Sequence, residues 1–397
     1  MFVALDEKNC HVTADQVEKG KEKETEAAFF CPGCREAVFL KKGKLMQAHF
    51  AHYTQNNCSV FSEGETEEHL SGKKLLYDWF KKQNIPCQLE AYLPELKQRP
   101  DLLIWPTSQH PVAIEFQCSS LSIEKMIERT EGYQKNGYEV IWITGSKFQL
   151  RKRLTPFQQL FLRYRQLLGL YYVSLNVEKR GIEVCFRISL CQPGQYPRYQ
   201  KQNIPLDKLT FSFDDSIKYL DPFKKQKESD FSFTKSHEYL VKGRIYQNPK
   251  MVEFQKYIYY HGQSLISLPR EVYLPIKNEI LIRTIPHFWK FIVLEWIEGK
   301  GVGAVLSKKD VEEKIDEMKH QKEIEFFHSP CLLDKAKEAY LYQYLFCLVE
   351  NKLLASLSAT EWIILRTPHY YRNEREKLED FEKMDLKKEV LTLKRMV

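Results

Sequence analysis

Two short apolar runs, 101–105 and 112–118, flank a turn rich in Pro, Ser and Gln and read as strands. The side chains of a strand point to opposite faces in turn. In the second run Val112, Ile114, Phe116 and Cys118 share one face, and Ala113, Glu115, Gln117 and Ser119 share the other. Before these runs the period changes. Over 65–82, Leu75, Leu76, Trp79 and Phe80 fall on one arc of a helical wheel, and Glu67, Lys74, Asp78 and Lys81 fall opposite. Glu65 projects near the centre of the apolar arc, with Glu68 and His69 at its edges. Residues 87–93 alternate as a third strand. Ser122 caps a predicted helix over 123–136, with Ile123, Met126 and Ile127 inward and Asn136-Gly137 as its stop. The apolar run EVIWI at 139–143 suits a central strand covered on both faces. The predicted order is helix, strand, strand, strand, helix, strand.

The flanks read differently. Ahead of this core, a CPGC turn (Cys31 to Cys34) leads into a predicted hairpin of 37–40 and 45–50 with Lys42-Gly43 at its turn. Beyond it, 151–169 reads as a basic helix with Leu154, Phe157, Leu160, Phe161, Tyr164 and Leu168 as its stripe. Residues 182–190 look strand-like, and 191–236 look like a long irregular linker. Helices dominate from about 239, and 336–354, apolar nearly all round, reads as a helix inside a bundle. The expected architecture is α/β in three parts: a zinc-knuckle hairpin module over 1–62, an αβββαβ core over 63–150, and a mainly helical domain over 151–397.

Composition narrows the class. The 397 residues are 43% hydrophobic and 28% charged, as in soluble multi-domain proteins. A net charge of +7, from 60 basic and 53 acidic residues, permits a polyanionic partner without demanding one. The 10 cysteines are scattered apart from one CxxC pair, which speaks against a disulfide scaffold. The most apolar run, 291–297, is too short to cross a bilayer and contains Glu295. With acids at Asp6 and Glu7, the first residues lack a signal-peptide pattern. A cytoplasmic location without a membrane partner is expected.

Two constellations carry chemistry. Asp101 opens one strand and Glu115 lies within the next, so two carboxylates converge in an apolar setting. Buried carboxylates are costly unless paired or metal-bound, and a divalent-metal site is one solution; a solvent-facing sheet surface is the other. The second constellation is Cys31, Cys34, His49, His52 and Cys58. Structural zinc takes four tetrahedral N or S ligands. On a continuous strand His49 and His52 point to opposite faces, so Cys31, Cys34 and His52 are the favoured ligands, with Cys58 or His49 completing the set.

The element order and the PD…ExQ signature resemble the PD-(D/E)XK nuclease superfamily, with its restriction-endonuclease-like core. More narrowly, the chain resembles the competence protein CoiA family. The residues that carry the likeness are the CPGC and HFAH pair, Glu65 with His69 and Lys73, RPD (Arg99 to Asp101), AIEFQCS (Ala113 to Ser119), Arg129 with Tyr133, and VIWI (Val140 to Ile143). The resemblance implies a bacterial cytosolic protein that acts on DNA in natural transformation and homologous recombination, with a RecA-type recombinase as partner. Within it, Asp101 and Glu115 would hold Mg²⁺ or Mn²⁺, helped by Glu65, and Gln117 would position the attacking water. Lys73, Arg129 and Tyr133 would contact phosphate, and His69 would touch phosphate or orient Glu65; a plain hydrogen-bonded His69, and a surface Arg129 beside a half-buried Tyr133, are the bland alternatives. The superfamily's usual Lys is Gln117 here, and Gln brings no positive charge to developing negative charge at phosphorus. Three functions are therefore expected in competition: a metal-dependent deoxyribonuclease acting on single-stranded or branched DNA, a nuclease-fold binding module without turnover that assists a recombinase, and a zinc-finger transcription factor.

Overall fold

The computed structural model describes residues 1–19, 28–43, 47–53, 58, 66–151, 154–165, 167–190, 196–210, 231–276, 279–327, 329, 331–332 and 334–394. Glu65, expected as a metal-site acid, lies outside them.

Ahead of the core sits a five-stranded sheet of β1 (Val3–Leu5), β2 (His11–Thr13), β3 (Phe29–Phe30), β4 (Ala37–Lys41) and β5 (His49–His52), ordered β2-β1-β3-β4-β5. A short helix, α1 (Ala14–Lys19), follows β2. The β4–β5 hairpin pairs Lys41 with His49 and Val38 with His52.

The central sheet is built from the expected pieces. Thr66 caps α2 (Glu67–Lys82), its hydroxyl accepting the His69 amide at 3.2 Å. Then come β6 (Cys87–Leu89), β7 (Leu102–Thr107), β8 (His110–Gln117), α3 (Ile123–Lys135) and β9 (Glu139–Thr144). Strands β6, β7 and β8 run antiparallel, and β9 returns parallel to β8 after the α3 crossover. Alternation along β8 serves two cores. Val112, Ile114 and Phe116 pack with Leu70, Leu75, Leu76 and Phe80 of α2, whereas Ala113 packs with Met126 and Tyr133 of α3 and Trp142 of β9. Helix α2 approaches so closely that a Cβ on Gly72 would lie 2.0 Å from the Phe116 ring.

The sheet does not stop at residue 150, which corrects the expected boundary. It continues through β11 (Gly169–Asn176), β12 (Gly181–Ser189) and β13 (Arg198–Pro205), giving the order β13-β12-β11-β9-β8-β7-β6. The basic helix expected over 151–169 is also replaced. Thr155 and Pro156 start only a single turn, α4 (Pro156–Gln159), and β10 (Arg163–Arg165) then pairs with β11, Arg163 opposite Tyr171. The helical stripe is real as a pattern, but tertiary pairing at the sheet edge overrides it. The linker expected over 191–236 likewise contains β13 and the start of a helix at Phe233.

The remainder is mainly helical, as expected. Helices Phe233–Ile245 and Pro249–Tyr260 form a hairpin. Helix Pro286–Lys300, β14 (Val305–Ser307), helices Lys308–His320 and Asp334–Glu350, β15 (Leu354–Ser356) and β16 (Glu361–Ile364) follow, with sheet order β14-β16-β15. That connectivity is the winged-helix arrangement. Helix Asp334–Glu350 buries Tyr340, Leu341, Tyr344, Leu345 and Leu348. Helix Glu374–Lys394 packs back on Phe233–Ile245. Among the described residues no helix is long and apolar enough to cross a membrane.

Candidate metal centres

Leu102 pairs with Ile114, so one step back along β7 Asp101 comes opposite Glu115. Both are buried, at 8% and 2% exposure. Asp101 Oδ2 accepts the Phe116 amide at 2.8 Å and meets His69 Nε2 at 3.1 Å. Its Oδ1 lies 3.8 Å from the Lys73 ammonium. Glu115 Oε1 accepts from Arg129 Nη2 and from the Tyr133 hydroxyl, both at 2.6 Å. Among the described residues nothing hydrogen-bonds Glu115 Oε2 or Asp101 Oδ1, so each carboxylate keeps one oxygen for another ligand.

The surroundings push the two acids apart. Burial works to raise Asp101, but the charges of His69 and Lys73 and the bonds from His69 and Phe116 outweigh it and hold the carboxyl well below the usual range. Burial raises Glu115 to about 7, assisted by repulsion from Asp101 and opposed by Arg129 and Tyr133. A permanently ionised acid beside one that titrates near neutrality suits hard-cation binding, since a cation drives off the second proton. Two carboxylate oxygens match the few protein ligands that Mg²⁺ takes, and the donor set fits Mg²⁺ or Mn²⁺.

The supporting residues hold positions different from those expected of phosphate contacts. Lys73 is fully buried, its ammonium bonded to Glu90 Oε1 at 2.5 Å, so it faces inward rather than toward a substrate. Arg129 and Tyr133 hold Glu115 itself, with the Arg129 guanidinium over the Trp142 ring at 5.6 Å. His69 lies on the Phe116 ring with its side chain 18% exposed. Gln117 donates its amide to Ser119 O at 2.8 Å. Cys118 is buried, and burial pushes its thiol far up.

Two acids carry more weight here than their sequence setting indicated. Glu90, 2% exposed, accepts the Phe2 and Val3 amides at 2.7 and 3.1 Å through Oε2, along with Arg99 Nη1 at 3.0 Å and Lys73. The start of β1 in the N-terminal sheet is thus fastened to the ion pair next to Asp101. Glu68 takes both the amide and the hydroxyl of Ser146, at 2.6 and 2.8 Å, joining α2 to the turn after β9. RPD as a motif hides Glu90 because its partners are far away in sequence; Glu68 was visible only as an acid at the edge of the apolar arc.

In the N-terminal sheet, ligand atoms of Cys31, Cys34, His52 and Cys58 lie within 4.8 Å of one another. Cys34 Sγ is 3.3 Å from His52 Nε2, and the Cys34 amide points to Cys31 Sγ at 3.5 Å, the knuckle geometry expected of CPGC. His49 is not among the converging ligands; its Nδ1 is engaged with Gln47 O at 2.9 Å. Burial pushes the Cys31 thiol up to about 12 and lowers His52. Buried thiols of this kind become good ligands only when a cation displaces their protons. Three sulfurs and one imidazole fit a closed, structural zinc site.

Three profiles of one family match the chain: the competence protein CoiA N-terminal domain over 10–61, its nuclease-like domain over 65–214 and its C-terminal domain over 229–378. Competence protein CoiA of Bacillus subtilis (strain 168) is 36% identical over 132 residues, which are 33% of this chain and 35% of that relative. The match therefore spans about a third of the relative's length. No solved structure matches.

Proposed function

The chain belongs to the competence protein CoiA family, and from that premise we propose that its nuclease-like domain is a Mg²⁺- or Mn²⁺-dependent deoxyribonuclease that processes single-stranded or branched recombination intermediates in natural transformation. The observation that supports this reading best is the pair of buried, facing carboxylates, Asp101 and Glu115, each with an oxygen left over. A bound divalent ion would neutralise phosphate charge and lower the pKa of its water. Asp101 is the standing negative ligand, kept ionised by His69 and Lys73. Glu115 is the second ligand, and Arg129 and Tyr133 fix its orientation. His69, partly open to solvent, orients Asp101. The Gln117 side chain, anchored at Ser119, presents its carbonyl oxygen to a water. Zinc at Cys31, Cys34, His52 and Cys58 is structural. A cytoplasmic location and a RecA-type recombinase as partner complete the proposal.

The test is cleavage of single-stranded, duplex and branched DNA with Mg²⁺ or Mn²⁺, by the wild-type chain and by Asp101→Asn and Glu115→Gln. Metal-dependent cutting lost in both variants supports the enzyme. A second reading, a binding module without turnover that assists a recombinase, draws on Gln117: an amide tied to a backbone carbonyl brings no charge where the superfamily places Lys. DNA binding with no cleavage under any metal selects it.

A further inference from the structure

We propose that the helical hairpin of residues 233–260 is a docking surface for single-stranded nucleic acid, gripped by two matching pairs, Lys242 with Tyr246 and Lys256 with Tyr260. The inference extends the DNA-handling reading above and locates a contact surface outside the carboxylate centre.

The hairpin is firmly seated on its inner side. Phe233, Leu240, Met251, Phe254 and Ile258 are buried, and Asp385 ties down its start by accepting from Ser232 Oγ, Phe233 N and Thr234 Oγ1 at 2.7, 2.8 and 3.0 Å. Its outer side carries rings that no core needs: Tyr246, Tyr259 and Tyr260 are 80%, 77% and 83% exposed. Lys242, Arg244, Lys250 and Lys256 are exposed among them. In both helices a Lys precedes a Tyr by four residues, the spacing that puts two side chains side by side on a helix. One pair sits at the hairpin tip and the other at the far end of the second helix, roughly 18 Å away at 1.5 Å per residue.

Charge selects the occupant. Residues 233–260 carry five basic side chains against two acidic, Glu238 and Glu253, a net of +3. The winged-helix segment 286–366 carries eleven basic against thirteen acidic, a net of −2. A polyanion therefore favours the hairpin over the winged helix, even though the latter arrangement often reads duplex DNA. Lys242 is bonded to Glu238 at 3.1 Å, but both are exposed, and such a pair exchanges readily for a phosphate. Exposed rings beside ammonium groups are what single strands need: bases stack on tyrosine while lysines meet the backbone. A duplex keeps its bases stacked inside and offers the rings nothing.

The test uses the full chain carrying Asp101→Asn, so that cleavage does not intervene, and fluorescence anisotropy with a labelled oligothymidylate of about 20 nucleotides or a duplex of equal length. Tyr246→Ala with Tyr260→Ala should weaken oligothymidylate binding by about tenfold per ring. Lys242→Gln with Lys256→Gln should lower the salt slope by about 0.7 per lysine. Leu357→Ala, on the exposed loop between β15 and β16, should leave binding unchanged. The proposal is overturned if the tyrosine double variant binds as before, if it loses duplex binding to the same degree, or if Leu357→Ala has the same effect. Cleavage by the otherwise wild-type chain judges the nuclease reading separately, so either idea can fail alone.

Discussion

Replacing Glu90 by Leu removes the acceptor from a knot of buried donors. Lys73, with no exposure, would lose the carboxylate that its ammonium meets at 2.5 Å, and Asp101 Oδ1 stands farther off at 3.8 Å. Leaving one partner of a buried ion pair alone costs roughly 3–5 kcal/mol. The amides of Phe2 and Val3 lose their acceptor as well, and each buried, unsatisfied group costs about 1–3 kcal/mol where water does not replace the bond. We expect the urea transition of the nuclease-like sheet to fall by at least the ion-pair figure. The amides of Phe2, Val3 and Phe116 should exchange with deuterium faster than in the wild-type chain. Lys73→Met in the same chain should return the ion-pair part of the loss, because the apolar pair removes both of those charges at once, while the bonds that Phe2, Val3 and Arg99 made to Glu90 stay lost. The comparison is a double-mutant cycle with an expected coupling well above 1 kcal/mol. A Glu90→Leu chain within about 0.5 kcal/mol of wild type, or a double variant no better than the single one, would refute the reasoning.

Further outcomes follow from the same geometry. Gly72→Ala drives a methyl against the Phe116 ring, 2.0 Å from its nearest atom, and overpacking of this kind costs about 1–3 kcal/mol; an unshifted unfolding midpoint would contradict it. In the metal cluster, His49→Ala should retain about one zinc per chain and Cys58→Ser should lose it, as read by elemental analysis of the purified proteins. Lys377 is buried against the rings of Tyr273 and Tyr371, with Leu265 O at 2.8 Å and His237 and Glu374 nearby; burial lowers it from the ordinary 10.5 to about 7. Between those values the unfolded chain binds a proton that the folded chain does not, so stability should rise with pH from about 7 toward 10, by on the order of 5 kcal/mol. Lys377→Met should flatten that rise and raise the melting temperature at pH 7, which thermal melts across pH will check. Arg129→Gln removes a cation that holds Glu115 down, so a carboxyl already near 7 should titrate higher, with an NMR-followed midpoint moving to higher pH.

What the chain discloses in advance depends on how far apart the determining residues lie. Helices α2 and α3 and strands β7, β8 and β9 follow from patterns contained in a dozen residues, and the two faces of β8 fall where alternation puts them. Residues 154–168 carry an equally good helical stripe, yet they fold mostly as a turn and an edge strand. There the deciding contacts are Arg163 with Tyr171 and Arg165 with Gly169, supplied by the next strand rather than by the segment itself. The zinc ligands show the same limit. Spacing leaves His49 and Cys58 level; the fold separates them by bringing Cys58, and not His49, to Cys31, Cys34 and His52. Glu90 alternates with Cys87 and Leu89 like any outward residue, and only the fold brings Lys73, Arg99 and the first strand to it.

That last arrangement has a consequence for how the candidate centre is organised. The state of Asp101 is set by Lys73 and His69 on one helix, and Lys73 is in turn held by a carboxylate whose other oxygen belongs to β1. Strand β1 lies between β2 and β3 in the sheet whose far hairpin carries the cysteine–histidine cluster. In a low-dielectric interior each of these charges is felt strongly by the next, because little water intervenes to screen it. The zinc module is therefore more than an appendage beside the nuclease-like domain: its first strand is one of the walls that keep the ion pair behind Asp101 dry. Glu115 feels this chain of charges only through Asp101 and is held by Arg129 and Tyr133 from the opposite helix. Two carboxylates that face each other across one pair of strands thus answer to different layers of the protein, which is why two acids that burial pushes the same way part company: His69, Lys73 and the Phe116 amide keep Asp101 ionised, and burial carries Glu115 to about 7.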